Sequence, residues 1–253
     1  MISSEYVLST MPASPVHARG GELPEETCLT VSCQVSDLWC MLIARDLQAA
    51  QALLRVDRLS DAARALRRAV HYFEPLRATW RSIRWMTPKD LGDMRLAAFA
   101  ADAERTGFQG DGYRHMLRLL GVSRGEGANS IVGPDVYDDV LAHFGRIGLF
   151  VPEQALTRAP SAPRIPCPEV EQIWREIHED PYPDASLRQL ADVLADIAAE
   201  FIDWKHCHLI ATPRTFGDGA AALLDKGIDS ATAAADAIPF PELWSARGFA
   251  RCS

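Results

Sequence analysis

Three side chains in this sequence could do chemistry at a buried centre: the imidazole of His208, the guanidinium of Arg114 and the thiol of Cys33. His208 lies in FIDWKHCHLIATPRTFG, residues 201–217, near the end of a long apolar-periodic helix expected to begin around residue 187. On that helix Trp204 and His208 are one turn apart and share a face with Phe201, whereas His206 points elsewhere. An imidazole in an apolar stripe is either a core histidine with a satisfied hydrogen bond or a metal ligand, and spacing leaves both readings open. Arg114 follows an aromatic residue on a helix beside glycine-rich backbone, where it reads as a surface charge. Gly107 and Gly110 nearby would allow close backbone approach to a ligand. Cys33, as a free thiol, packs like a small apolar core residue.

Composition limits what these residues could serve. A chain of 253 residues can bury a substantial core, and its 48% hydrophobic and 24% charged content are those of an ordinary globular protein. A formal net charge of -8 supplies no basic stripe for phosphate contacts, which argues against nucleic-acid binding. The arginine clusters Arg64, Arg67, Arg68 and Arg77, Arg81, Arg84 sit at helical spacing and read as solvated faces. Six cysteines without a CxxC pair argue against structural zinc and against a disulfide framework. No basic N-terminal region precedes an apolar run, and no apolar segment is expected to be long enough to span a bilayer, so a cytoplasmic protein is expected.

The elements that must position these residues are helical throughout. After an irregular start, Leu38, Met41, Leu42, Ala49, Ala52, Leu53 and Val56 mark a first long helix. Ser60-Asp61 opens a second, with Ala63, Leu66, Val70, Phe73, Leu76, Trp80 and Ile83 on one side, and the two make the longest antiparallel pair. Thr87-Pro88-Lys89-Asp90 is a helix-start signal for a third helix towards Ala101. A fourth, over about 112–120, ends at Gly121 in the left-handed cap. Short helices follow over 135–144 and 152–156, then a proline-stiffened strap over 158–168, then helices over 169–179 and 187–212. There is no βαβ alternation, GxGxxG, P-loop or HExxH.

Several separated motifs resemble the heme-dependent tryptophan 2,3-dioxygenase family. Cys33-Gln-Val-Ser-Asp-Leu-Trp39 is similar to its HQxxELW segment, Met86-Thr-Pro-Lys-Asp-Leu91 to MTPxDF, and Gly107-Phe-Gln-Gly-Asp-Gly-Tyr-Arg114 to GFQSxxFR, followed by Leu119-Leu-Gly121. Trp204, His208, Arg214 and Gly217 fit a WRxRHxxxxxRxxG-like helix, and Phe240-Pro-Glu-Leu-Trp244 matches its closing FPELW. The resemblance implies an all-α bundle around a b-type heme. It puts His208 at the proximal iron ligand, Arg114 at the arginine that grips the substrate carboxylate, and Trp204 and Arg214 beside the cofactor, with Lys205 a further candidate for the propionates. Phe108 and Leu29 become apolar walls. Tyr6, in an EYVL context, resembles the N-terminal tyrosine segment that crosses into a neighbouring subunit. The expected organisation is a single domain over 1–253, with an arm over about 1–24, in a homo-oligomer, tetramer or dimer.

Two departures shape the expected function. Cys33 stands where the family has a distal histidine. Where the family has a mobile GTGGTSG loop whose threonine helps bind the substrate ammonium, this chain reads Ala221-Ala-Leu-Leu-Asp-Lys-Gly227. Asp225, near the threonine's place, is a candidate ammonium partner, with a solvated carboxylate in a short helix as the other reading. The resemblance therefore implies a heme-dependent oxygenase using dioxygen on the indole C2–C3 bond of L-tryptophan or a modified tryptophan, of the kind found in secondary metabolism. The alternatives are an ordinary tryptophan 2,3-dioxygenase giving N-formylkynurenine, and a non-catalytic heme or gas-binding protein on the same scaffold.

Overall fold

The computed structural model describes residues 24–87, 89, 110–122, 133–160, 162, 164–181, 184–233 and 238–248; the side chains of 209, 211–213, 215–233 and 248 are outside the description. Of the expected helix from Thr87 to Ala101 only Thr87 and Lys89 are among the described residues; the rest of it, Gly107, Phe108 and Tyr6 of the N-terminal arm lie outside them.

Every regular element among the described residues is a helix, as the sequence predicts. They are α1 (Pro24–Leu54), α2 (Leu59–Ser82), α3 (Asp111–Leu119), α4 (Val136–Arg146), α5 (Glu153–Leu156), α6 (Pro168–Glu179), α7 (Ala185–Ala233) and α8 (Pro241–Gly248). The framework is α1 against α2, with α7 along another side of α2 and α3 against α1; α8 packs on α6. The three long helices meet through stripes at three- and four-residue spacing. Those stripes are Ile43, Leu47, Ala50 and Leu54 on α1; Ala62, Leu66, Ala69, Phe73 and Leu76 on α2; and Leu190, Leu194, Ile197 and Phe201 on α7, all fully buried. Each such leucine, isoleucine or phenylalanine contributes about 1.5–3 kcal/mol by leaving water. A Phe201→Ala change would open a cavity where the α7 stripe reaches the candidate site.

The α2 stripe is the predicted one, but the α1 stripe is not. Leu38, Leu42 and Val56 are 41%, 39% and 62% exposed, and the buried face runs instead through Leu29, Cys33, Cys40, Ile43 and Leu47. α1 is apolar on more than one side, so periodicity alone does not fix which side faces the bundle. The same apolarity makes α1 long and apolar enough, by length and composition, to cross a membrane, which corrects the expectation that no segment would pass that test. Its Leu29, Ile43, Leu47 and Leu54 are nevertheless committed to the packed core.

Helix ends follow local chemistry. Gly121 takes φ +72°, Val122 donates to the Leu117 carbonyl at 3.1 Å and Gly121 to Arg118 at 3.0 Å, the Schellman closure of α3. Asp135 and Asp138 form a reciprocal capping box at α4. The same two carboxylates receive Arg158 and Arg164 from the proline-rich strap, which pins it to the bundle. Two other expectations need correction. Arg77 is not a solvated charge: it is buried and ion-paired to Glu74 and to Glu200 of α7. α7 does not stop at residue 212 but continues to Ala233. The run Ala220-Ala-Ala-Leu-Leu224, built from strong helix formers, carries it past Pro213, so Asp225 belongs to this long helix and not to a separate short one.

Candidate active site

His208 extends the α7 stripe one turn beyond Trp204. Its ring meets Trp80 of α2 edge-on with centroids 4.3 Å apart, and lies 6.1 Å from the ring of Trp204. Burial, followed by the nearby Lys205 charge, pushes its pKa down to about 4, so the imidazole is neutral at physiological pH and keeps a lone pair to give. His206, two residues earlier, is exposed, as the helical phase predicts.

The surroundings fit an imidazole that would hold the metal of a large prosthetic group. A neutral imidazole is the protonation state a metal requires. It is flanked by two indoles, Trp80 and Trp204, whose buried N–H groups find no acceptor among the described residues. Indole N–H groups are usually satisfied when buried, so their orphaning beside His208 is what a slot built around a further molecule would show. Lys205 is buried, with Nζ 5.5 Å over the Phe201 ring. Arg214 is exposed, six residues beyond His208 and so about 120° away around the helix.

α3 brings the second group. Tyr113 packs on Trp204 at 6.0 Å, which joins α3 to α7, and Arg114 is the next residue. Arg114 is 39% exposed and one terminal nitrogen donates to Asp111 at 2.5 Å, while its Nε has no acceptor among the described residues. The fork therefore retains donor capacity for a planar anion.

α1 supplies the third. Cys33 is buried, and burial, then the Asp37 charge, push its thiol up to about 12. At physiological pH it is a protonated thiol. Leu29, one turn earlier, is fully buried on the same face. Asp37, one turn later, accepts the Tyr113 amide at 2.9 Å. Burial first, then Asp111, raise its carboxyl above the ordinary aspartate range, while backbone amides and Arg114 oppose the shift. Among the described residues no group of three or more His, Cys, Asp or Glu side chains gathers to hold a metal by itself.

The structure thus joins His208, Trp204, Tyr113 and Arg114 by contact and places Cys33 beside Asp37 on the helix that meets α3. A family model for tryptophan 2,3-dioxygenase matches residues 7–159, more than half of the chain. This protein belongs to the tryptophan 2,3-dioxygenase family. It is 29% identical over 238 residues to a protein of that name from Caulobacter vibrioides, covering 88% of this chain and 89% of the relative. It is 28% identical over 250 residues to the Pseudomonas fluorescens protein of the same name, covering 93% and 84%. Over 259 residues it is 26% identical to the one from Arthrobacter sp. strain FB24, covering 97% and 90%. Tryptophan 2,3-dioxygenases are oxidoreductases with heme b as cofactor, and the all-α bundle is that family's fold.

Membership in the tryptophan 2,3-dioxygenase family sharpens which residues the sequence alone did not single out. Trp80 read as one more apolar position on α2, and only its contact with His208 gives it a place at the site. Tyr113 and Asp37 were likewise silent; the signal that could have found them is the pairing of an acid on α1 with glycines at 110 and 112. Asp225 lies on α7 with its side chain outside the described residues, and Phe108 and Tyr6 are outside altogether.

Proposed function

We propose that this chain is a heme-dependent oxygenase that uses dioxygen on the indole C2–C3 bond of L-tryptophan or a modified tryptophan. The observation that carries the reading is the contact chain His208, Trp204, Tyr113, which places a neutral imidazole beside the helix that presents Arg114. When bound, heme b supplies the activation of dioxygen. The chain's own residues do the rest. His208 would hold the iron through its lone pair, and Lys205 and Arg214 would pair with the propionates. Arg114 takes the amino-acid carboxylate with a two-pronged fork, a geometry a lysine does not reproduce. Leu29 and Phe108 hold the ring between apolar walls, Trp80 and Trp204 keep water from the iron side, and Asp225 is assigned to the substrate ammonium. Cys33, smaller than imidazole and a poor acceptor, leaves room at the indole and removes one hydrogen-bonding restraint, which favours a substituted tryptophan. The N-terminal arm with Tyr6 is assigned to the site of a neighbouring copy in a homo-oligomer.

The test is the spectrum of the heme-loaded protein, reduced and then exposed to oxygen with and without L-tryptophan or its side-chain-methylated analogue, followed by mass analysis of the product. Gain of two oxygen atoms is ring opening to N-formylkynurenine or its analogue; gain of one is a hydroxylated indole or oxindole. A Soret band with no product from either substrate would leave a heme or gas-binding protein. His208→Ala should lose heme or need added imidazole to retain it, and equal retention in the variant and wild type would remove the reading.

A further inference from the structure

Asp37 sits on α1, one turn beyond Cys33, but its carboxylate serves another helix. Oδ1 accepts the N–H of Tyr113 at 2.9 Å, and the N–H of Gly112 is directed at the same group. These are among the first amides of α3, which have no partner within their own helix. The N-cap residue is Gly110, which has no side chain to cap them. The carboxylate reaches them because residues 110 and 112 lack a Cβ. One built on Gly110 would stand 2.4 Å from the Asp37 carboxyl carbon, and one on Gly112 would stand 2.5 Å from the Asp37 carbonyl oxygen.

A cap drawn from the helix's own chain travels with that helix. A cap drawn from a neighbour fixes where the helix starts relative to that neighbour. Here the fixed residues are Gly112 and Tyr113, and Arg114 is next in sequence. Tyr113 in turn rests on Trp204, so the same short segment is held between α1 with Cys33 and α7 with His208. Among the described residues the Arg114 fork touches Asp111 of its own helix, which is 87% exposed, so that contact leaves the side chain no firmer than the backbone beneath it.

We propose that Asp37 is a positioning residue: by capping α3 from the neighbouring helix it sets the place of Arg114, and with it the affinity for the substrate carboxylate. This rests on the reading of Arg114 as the carboxylate anchor. The effect is therefore selective. A ligand with the carboxylate should feel the loss of the cap, whereas one with the same indole and amine but no carboxylate should not.

The experiment is calorimetric titration of the heme-loaded full chain with L-tryptophan and with tryptamine. The wild type is compared with Asp37→Ala, Asp37→Asn and Arg114→Lys, and heme content is read from the Soret band. Asp37→Ala should weaken L-tryptophan about tenfold and tryptamine less than about twofold, with heme content unchanged. Asp37→Asn keeps an acceptor oxygen and should remain within about threefold of wild type for both ligands. An Asp37→Ala protein that binds L-tryptophan as wild type does, or that weakens both ligands in parallel or loses heme, overturns the proposal. If Arg114→Lys keeps the preference for L-tryptophan over tryptamine, the anchor reading falls and the proposal with it. If Arg114→Lys loses that preference while Asp37→Ala retains it, the proposal alone fails.

Discussion

Replacing Gly112 with alanine sets two effects of opposite sign against each other, and the structure decides which wins. In an open helix the change would stabilise by up to about 1 kcal/mol, because alanine is the better helix former. At position 112 the new methyl would meet the Asp37 carbonyl oxygen at 2.5 Å, Met41 Cγ at 2.5 Å and the Met41 amide nitrogen at 2.8 Å. Two of those three atoms are backbone of α1, a core helix that cannot rotate a side chain out of the way. Overpacking of this kind costs about 1–3 kcal/mol, and rigid neighbours put it towards the upper end. The net expectation is a loss of about 1–2 kcal/mol, seen as a fall of roughly 2–8 °C in Tm for a chain of this size. Gly145 is the control, since a methyl there would meet nothing nearer than Leu156 Cδ1 at 4.0 Å. Gly145→Ala should hold or raise Tm. Thermal melts of the two variants beside wild type check both signs. A Gly112→Ala protein as stable as wild type would refute the close α1–α3 seam, and with it the argument that Asp37 reaches α3 only because residue 112 lacks a Cβ.

Three further outcomes follow from the same contacts. Arg114→Lys should weaken L-tryptophan binding by about 1.5–3 kcal/mol, the worth of a hydrogen bond to a charged group, measured as a Kd by calorimetry. Cys33→Ser should keep heme and substantial activity, because His208 is the proposed iron ligand and Cys33 a buried, protonated thiol, while Cys33→His should shift preference towards plain tryptophan; a lost or displaced ferric Soret band in Cys33→Ser would contradict this. Burial raises the Glu242 carboxyl above its ordinary value of 4.5, so the folded state holds a proton that the unfolded chain releases. Its contribution is present below that value and is lost as pH rises through the raised folded pKa. Glu242→Gln keeps an acceptor for the Cys167 amide, and its urea midpoint should fall less than wild type between the ordinary glutamate range and neutral pH.

The α2 and α7 stripes were legible because each helix has one apolar side, and the helical phase alone separates His208 from His206. α1 was misread because Leu38 and Leu42 compete with Ile43 and Leu47 for the inward face, and only the neighbours decide. Arg77 looked like its exposed neighbours on α2 until Glu200 of α7 was placed opposite it. The same limit governs the site. The motif residues His208, Arg114 and Cys33 could be picked out, but the contacts that join them are between helices far apart in the chain, such as the bond from Tyr113 to Asp37 across 76 residues. Spacing within one helix carries no information about which helix will lie against it.

The two sides of the site are held by different means, and that division explains how one could change without the other. On the His208 side, aromatic rings from α2, α3 and α7 interlock, so a substitution there disturbs the core as well as the ligand. On the Cys33 side a single small residue of α1 is buried in the core, and no aromatic ring is stacked on it among the described residues. A cysteine at the family's histidine position has an electrical consequence. A histidine can carry or share a proton, but a thiol raised to about 12 stays neutral, so in the proposed site charge recognition of the ligand would fall to Arg114, with Asp111 and Asp37 around it. In the proposed site, with no distal histidine, the indole's orientation would depend on how accurately the guanidinium is placed. On that reading the carboxylate one turn from Cys33, which accepts the Tyr113 amide of the helix bearing that guanidinium, would take over the restraint.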